Sequence, residues 1–309
     1  MKIYKPKFWS TFNLTAVLLL PISLVVSIIN ILRKKLINPQ SFNIPIICVG
    51  NIYVGGTGKT PASIFLAKEL AKNKKRPAIV RKFYENYEDE QNLIKSNFSD
   101  LILGKTREEA IRIASKEGFD TVILDDGFQD YRIQKNISIL CFNQNQLIGN
   151  GFVMPSGPLR ENLNALKYAE IILINGDKNK DFEKKIFKIN KYLNIFYSKY
   201  NPVFSNNFKN KKVLAFAGIG SPENFFKLLL ENGFNIQKKI SFPDHYKYKK
   251  EELENILIEA RNKNLEVITT EKDFHRIKGF KLDKINYIKL ELEILEKDEF
   301  LKKIKKIYD

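Results

Sequence analysis

A chain of 309 residues that is 44% hydrophobic and 28% charged can bury one large core or two, and it falls outside the disordered and fibrous classes. A formal charge of +17 fits either attraction to a polyanion or a lysine-rich bias with solvated side chains. No arginine-rich or aromatic-interleaved motif points to nucleic acid, and the two cysteines, Cys48 and Cys141, exclude a disulfide framework and fit a reducing cytosol.

No residue between Phe8 and Leu32 is charged, and Lys2, Lys5 and Lys7 precede the run while Arg33, Lys34 and Lys35 follow it. This pattern predicts a membrane-anchoring helix over residues 1–35, either spanning the bilayer or lying in its interface. Pro21 is expected to kink it, and Asn13, Ser23, Ser27 and Asn30 dilute its apolar character. A cleaved signal peptide is disfavoured for want of a small-residue cleavage site, and a buried core helix is the plain alternative. Basic residues on both flanks leave the orientation of a span undecided.

Apolar runs then alternate with helix-like stretches. Strands are predicted at 44–50, 77–81, 100–104, 119–124, 137–142 and 169–174, with helices at 60–73, 106–116 and 162–168. Residues 195–212 read as one extended run and a polar linker. Beyond them come strands at 213–217, 236–242, 266–270 and 285–292, helices at 222–232 and 249–262, and a terminal helix. The expected fold is α/β: a P-loop nucleotide-binding domain over 36–200 with a mostly parallel, helix-covered sheet, a smaller α/β domain over 201–309, and the N-terminal membrane helix. Ligands of such sheets bind at the carboxyl ends of strands, where the loops 50–60 and 125–130 lie.

The stretch ICVGNIYVGGTGKTP (47–61) carries the strongest chemical signal. Gly55, Gly56, Thr57 and Gly58 offer backbone N–H groups to phosphate oxygens at a helix N-terminus. Lys59 would reach the outer phosphates of ATP, the Thr60 hydroxyl would ligate Mg²⁺, and Pro61 suits the first helical turn. The full phosphate-loop pattern requires glycine at position 53, where this chain has Tyr53.

FDTVILDDGFQD (119–130) is an apolar strand ending in Asp125 and Asp126, the place of a Mg²⁺-binding carboxylate. Asp125 is assigned to the metal, with Asp126 beside it to orient or touch substrate. The acidic run Glu88, Asp89, Glu90 reads on its own as a solvated charge run. His245, in FPDHY, sits in a loop context that favours function, whereas His275 reads as structural.

Together these segments resemble the tetraacyldisaccharide 4'-kinase family, the lipid A 4'-kinases of Gram-negative bacteria. The resemblance runs through VGNIYVGGTGKTP, DDGFQ, GNGFVMPSGPLRE (149–161), FAGIGSPENFF (216–226), FPDHY (242–246) and TTEKD (269–273). The family lacks a glycine at the position of Tyr53. The resemblance implies transfer of the ATP γ-phosphate to the 4'-hydroxyl of an acylated glucosamine disaccharide 1-phosphate, at the cytosolic face of the inner membrane. It implies catalytic places for Lys59, Asp126, Arg160 and Glu161, and an Asp89–His245 pair, joined by closure of two domains, that takes the hydroxyl proton. Glu88 stands where the family has glycine, and Asp130 where many members have histidine. No protein partner is evident. The alternatives are a membrane-associated partitioning ATPase, whose loops carry lysine where this chain has Val54, and a catalytically weakened lipid-binding relative.

Overall fold

The computed structural model describes residues 6–84, 88–203, 211–244 and 246–308. At the N-terminus a short 3-10 turn precedes α1 (Leu14–Leu18) and α2 (Leu20–Leu36). The expected single helix over 1–35 is therefore two. The Asn13 side chain accepts the Ala16 N–H at 3.0 Å and caps α1. Pro21 does not kink a helix but occupies the first turn of α2, where its missing N–H leaves no bond unmade. Among the described residues, no helix is long and apolar enough to cross a membrane, so a spanning anchor is not supported.

The chain continues through β1 (Ile46–Gly50), α3 (Lys59–Lys72), β2 (Pro77–Lys82), α4 (Glu88–Asn97), β3 (Leu101–Gly104), α5 (Arg107–Lys116), β4 (Thr121–Asp125) and β5 (Ile137–Asn143). A 3-10 helix (Leu163–Tyr168), β6 (Ile171–Asn175), α6 (Lys180–Ile189) and β7 (Asn194–Val203) follow. Then come β8 (Lys212–Ala217), α7 (Pro222–Glu231), β9 (Asn235–Ser241), α8 (Lys250–Asn262), β10 (Glu266–Thr270), α9 (Glu271–Ile277), β11 (Ile285–Ile294) and α10 (Lys297–Lys305). Part of the expected linker is thus β7, a ten-residue strand pairing with β6 from Ile171↔Asn194 to Asn175↔Ser198.

The described residues pack as two compact units. The larger comprises Lys5–Phe83, Phe98–Lys199 and Leu292–Asp309, and the smaller Tyr84–Asn97 and Tyr200–Glu291. Two segments depart from a simple division near residue 200: α4 belongs to the smaller unit and α10 to the larger. In the larger unit the strands lie in the order β3-β2-β4-β1-β5-β6-β7, every neighbour parallel. Strands β1 and β4 are buried at every position, as parallel strands covered on both faces must be. In the smaller unit the order is β11-β10-β8-β9, again parallel.

The candidate active site

Register brings the acidic pair to the glycine-rich loop. Strands β1 and β4 pair with Val49 opposite Asp125, so the carboxyl ends of both strands finish at one level. Gly58 caps α3 in a left-handed conformation (φ 84°), which glycine adopts without strain, and leaves the first N–H groups of α3 available to an anion. Gly50 is required by close approach, since a Cβ there would meet Phe128 Cβ at 2.4 Å. The loop is braced by Asn51, whose side-chain amide donates to Thr57 Oγ1 at 3.2 Å, while Gln129 of DDGFQ donates to the Asn51 carbonyl at 2.7 Å.

Tyr53 has a structural explanation. Its ring is fully buried, 6.2 Å from Phe142, and its backbone bridges to Leu159. The bridge extends on both sides: Val54 N–H donates to the Pro158 carbonyl at 2.9 Å, and Arg160 N–H to the Ile52 carbonyl at 2.7 Å. Tyr53 thereby anchors the loop carrying Arg160 and Glu161 against the loop carrying the glycines.

Asp125 is buried at the centre of the site. Thr60 Oγ1 donates to its Oδ2 at 3.0 Å, Ser63 Oγ to its Oδ1 at 3.0 Å, and an Arg81 guanidinium nitrogen lies 3.3 Å from Oδ2. Asp126, in the left-handed region at φ 57°, points its carboxylate at Lys59 (3.5 Å) and Arg160 (3.3 Å). Strained backbone of this kind persists only where its surroundings over-determine it; here Asp126 N–H donates to the Val49 carbonyl at 2.9 Å and Arg107 to the Asp126 carbonyl at 2.6 Å. Burial raises the Asp126 pKa, but Lys59, Arg160, Arg107 and Arg81 outweigh it and hold the carboxyl at about 2. The site is therefore a concentrated positive field around two ionised carboxylates, suited to a polyphosphate.

Arg81 and Arg107 were missed by the sequence reading. Arg81 lies near the carboxyl end of β2, next to β4, so the strand-end rule was the signal that could have found it. Arg107 reaches the site from the start of α5, and only packing reveals it. Asp130 receives Arg107 (3.3 Å) and Arg132 (2.9 Å), which gives the residue at this departure from the family a defined role in bracing Arg107.

Glu161 is buried; its Oε2 accepts the Tyr131 hydroxyl, and its Oε1 has no hydrogen-bond partner among the described residues. The N-terminal helices hold this loop directly. Asn30 of α2 donates to the Arg160 carbonyl at 3.0 Å, Ser156 N–H donates to Ser23 Oγ at 2.9 Å, and Ser156 Oγ donates to the Ala16 carbonyl at 2.5 Å. The Lys34 ammonium sits 2.9 Å from the centre of the Tyr168 ring and 4.6 Å from that of Tyr131. Burial lowers the Lys34 pKa to about 8 against the opposing pull of Glu161.

Asp89 is not a solvated residue. It lies buried in the first turn of α4, within the smaller unit, and its Oδ2 accepts from Arg276 Nε (2.8 Å) and Nη2 (2.6 Å). Lys272 stands 3.6 Å from Asp89, 3.0 Å from Glu90 and 3.8 Å from Asp244. Asp89 and the FPD segment are thus neighbours through one lysine inside one unit, and the domain closure expected to join them is not needed. His245 itself lies outside the described residues. His275 sits in α9 with Nε2 3.1 Å from Ser96 Oγ, a structural contact as expected.

An α/β fold with a Gly-Lys-Thr helix start facing a strand-end aspartate pair ringed by cations defines a nucleotide-dependent phosphotransferase class. The profile of the family described as tetraacyldisaccharide-1-P 4'-kinase matches residues 15–96 and 85–309. The chain is 39% identical to a tetraacyldisaccharide 4'-kinase of Pelagibacter ubique across 99% of both chains, and 35% identical to one of Rickettsia akari across 88% of both. It superposes with a TM-score of 0.74 on the crystal structure of "apo" form LpxK from Aquifex aeolicus in complex with ATP, at 23% identity, covering 96% of this chain and 100% of that one. This chain belongs to the tetraacyldisaccharide 4'-kinase family.

Proposed function

We propose that the chain transfers the γ-phosphate of ATP to the 4'-hydroxyl of an acylated glucosamine disaccharide 1-phosphate, and that its residues divide the work as follows. Gly55, Gly56, Thr57 and Gly58 cradle the phosphates with backbone N–H groups, and Lys59 neutralises the outer ones. Arg160 extends the same positive field, so charge that develops on the transferring group meets fixed donors. Asp89, with His245, accepts the hydroxyl proton. The observation that carries the reading is the convergence of Lys59, Thr60, Asp125, Asp126 and Arg160 at two adjacent strand ends.

The donor set fits Mg²⁺. Thr60 Oγ1 and the Asp125 carboxylate are hard oxygens 3.0 Å apart, and Mg²⁺ takes few protein ligands when phosphates supply the rest. In keeping with that, no group of three or more His, Cys, Asp or Glu placed to hold a metal ion occurs among the described residues. Bound there, Mg²⁺ would offset phosphate charge; Ser63 and Arg81 keep Asp125 ionised and oriented toward Thr60. The assay that tests the whole reading uses labelled ATP with the acylated disaccharide 1-phosphate. A new labelled lipid is expected; ATP hydrolysis without lipid product would favour the partitioning-type ATPase.

The substrate's acyl chains give α1 and α2 a role at the cytosolic face of the inner membrane. Leu14, Leu18, Leu24, Val25, Ile28 and Leu32 are exposed, and Arg33, Lys34 and Lys35 close the helix, a composition suited to lying in an anionic interface. Replacing Leu18 and Leu24 with glutamate is expected to abolish co-sedimentation with anionic phospholipid vesicles. Unchanged sedimentation would place membrane attachment elsewhere.

A further inference from the structure

Three motifs of the smaller unit, FAGIG, FPDHY and TTEKD, carry the family likeness, yet only His245 among them receives a chemical role above. The structure links them. Asp273 of TTEKD is fully buried; its Oδ2 accepts the Gly218 N–H at 2.9 Å and the Thr270 hydroxyl at 2.7 Å, and its Oδ1 accepts the Tyr248 hydroxyl at 3.0 Å. Gly218 must be glycine for this: a Cβ there would meet Tyr248 Oη at 2.6 Å and Asp273 Oδ1 at 3.2 Å.

Into this network Arg276 inserts one edge of its guanidinium. Nη1 donates to Asp273 Oδ1 at 2.7 Å and to the Gly218 carbonyl at 2.6 Å. The remaining edge, Nε and Nη2, grips Asp89 Oδ2 at 2.8 and 2.6 Å. The side chain is 9% exposed, so both ion pairs are shielded from water. Burial disfavours its charge, but Asp273 and Asp89 outweigh that and hold the proton more tightly than usual. A planar fork fixed on one edge can fix a carboxylate on the other, which a flexible ammonium cannot do.

The geometry points to Arg276 as the positioning residue of this reaction: anchored by Asp273 and Gly218, it sets the place and orientation of Asp89 for the acceptor hydroxyl. The inference rests on the reading of Asp89 as proton acceptor. It gives the three motifs a shared task, the construction of a rigid seat for one carboxylate on α4. The competing account is an internal ion pair that serves the fold alone.

A double-mutant cycle separates them. Arg276→Gln is expected to lower kcat about 10²-fold, the scale of a displaced catalytic group, with the KM for ATP unchanged. Arg276→Lys, which keeps charge without the fork, should recover part of that loss. Combined with Asp89→Asn, Arg276→Gln should cost nothing further, because a residue acting through Asp89 has nothing left to position. A kcat within about twofold of wild type, or losses that multiply in the double variant, overturns the inference. A near-wild-type Asp89→Asn would sink the proton-acceptor reading itself; a slow Asp89→Asn with multiplied losses sinks only the role of Arg276. If neither Arg276 variant yields a cooperative thermal transition, Arg276 serves the fold and the proposal fails.

Discussion

Lys59→Ala is expected to reduce lipid phosphorylation by about 10² to 10³-fold, the cost of removing one preorganised charge from a phosphoryl-transfer site. Lys59 is the first residue of α3, so its ammonium and the helix N-terminus address the same anion. In the absence of nucleotide it faces Asp126, at 3.5 Å. Removing it leaves Asp126 beside Arg160, Arg107 and Arg81, so the carboxylate keeps cationic neighbours and the thermal transition should move little. That combination, a large kinetic loss with a small stability change, marks a residue acting on the nucleotide. It is read from labelled lipid product and a melting curve on the same preparation. Near-wild-type turnover would remove the phosphate-loop assignment and with it the case for Thr60 and Asp125 as the metal pair.

Asp89→Asn should lower kcat by about 10² to 10⁴-fold, the usual contribution of a general base. The effect on KM for ATP should be small, because Asp89 belongs to the smaller unit and Lys59 and Thr60 to the larger. The amide is nearly isosteric and leaves Arg276 its second partner, Asp273, at 2.7 Å, so the network keeps most of its bonds. Glu90→Ala serves as the control on register within α4. Glu90 pairs with Lys272 at 3.0 Å but takes no bond from Arg276 among the described residues. If Glu90→Ala proves the slower enzyme, the proton acceptor is one residue further along.

Much of the nucleotide side was legible because it is local. A strand that ends in glycines and runs into a helix at Gly58-Lys59-Thr60 leaves an unbroken signature over a dozen residues, and so does an apolar strand ending in Asp125-Asp126. The predicted strand limits mostly fell within two residues of those observed, as at 77–81 against Pro77–Lys82. The failures were also physical. The apolar N-terminal run could not reveal that Asn13 and Pro21 start two helices, because capping and chain breaking compete there with hydrophobic length. The polar residues in that run looked like dilution of an anchor, but Ser23 and Asn30 are bonded to the loop of Ser156 and Arg160. The acidic triplet at 88–90 looked solvated because an ion-pair partner 187 positions away leaves no trace in a local window.

The sequence by itself determined the parallel α/β class, the phosphate-binding turn and, through its ordered motifs, the family. Those properties follow from residue periodicity and backbone conformations set within a few neighbours. Only the tertiary structure decided that Tyr53 is a core residue tying two loops together, that Arg81 and Arg107 complete the cationic ring, and that Arg276 grips Asp89. Each is a contact between segments brought together by strand register and helix packing, and such contacts arise only when the chain closes on itself.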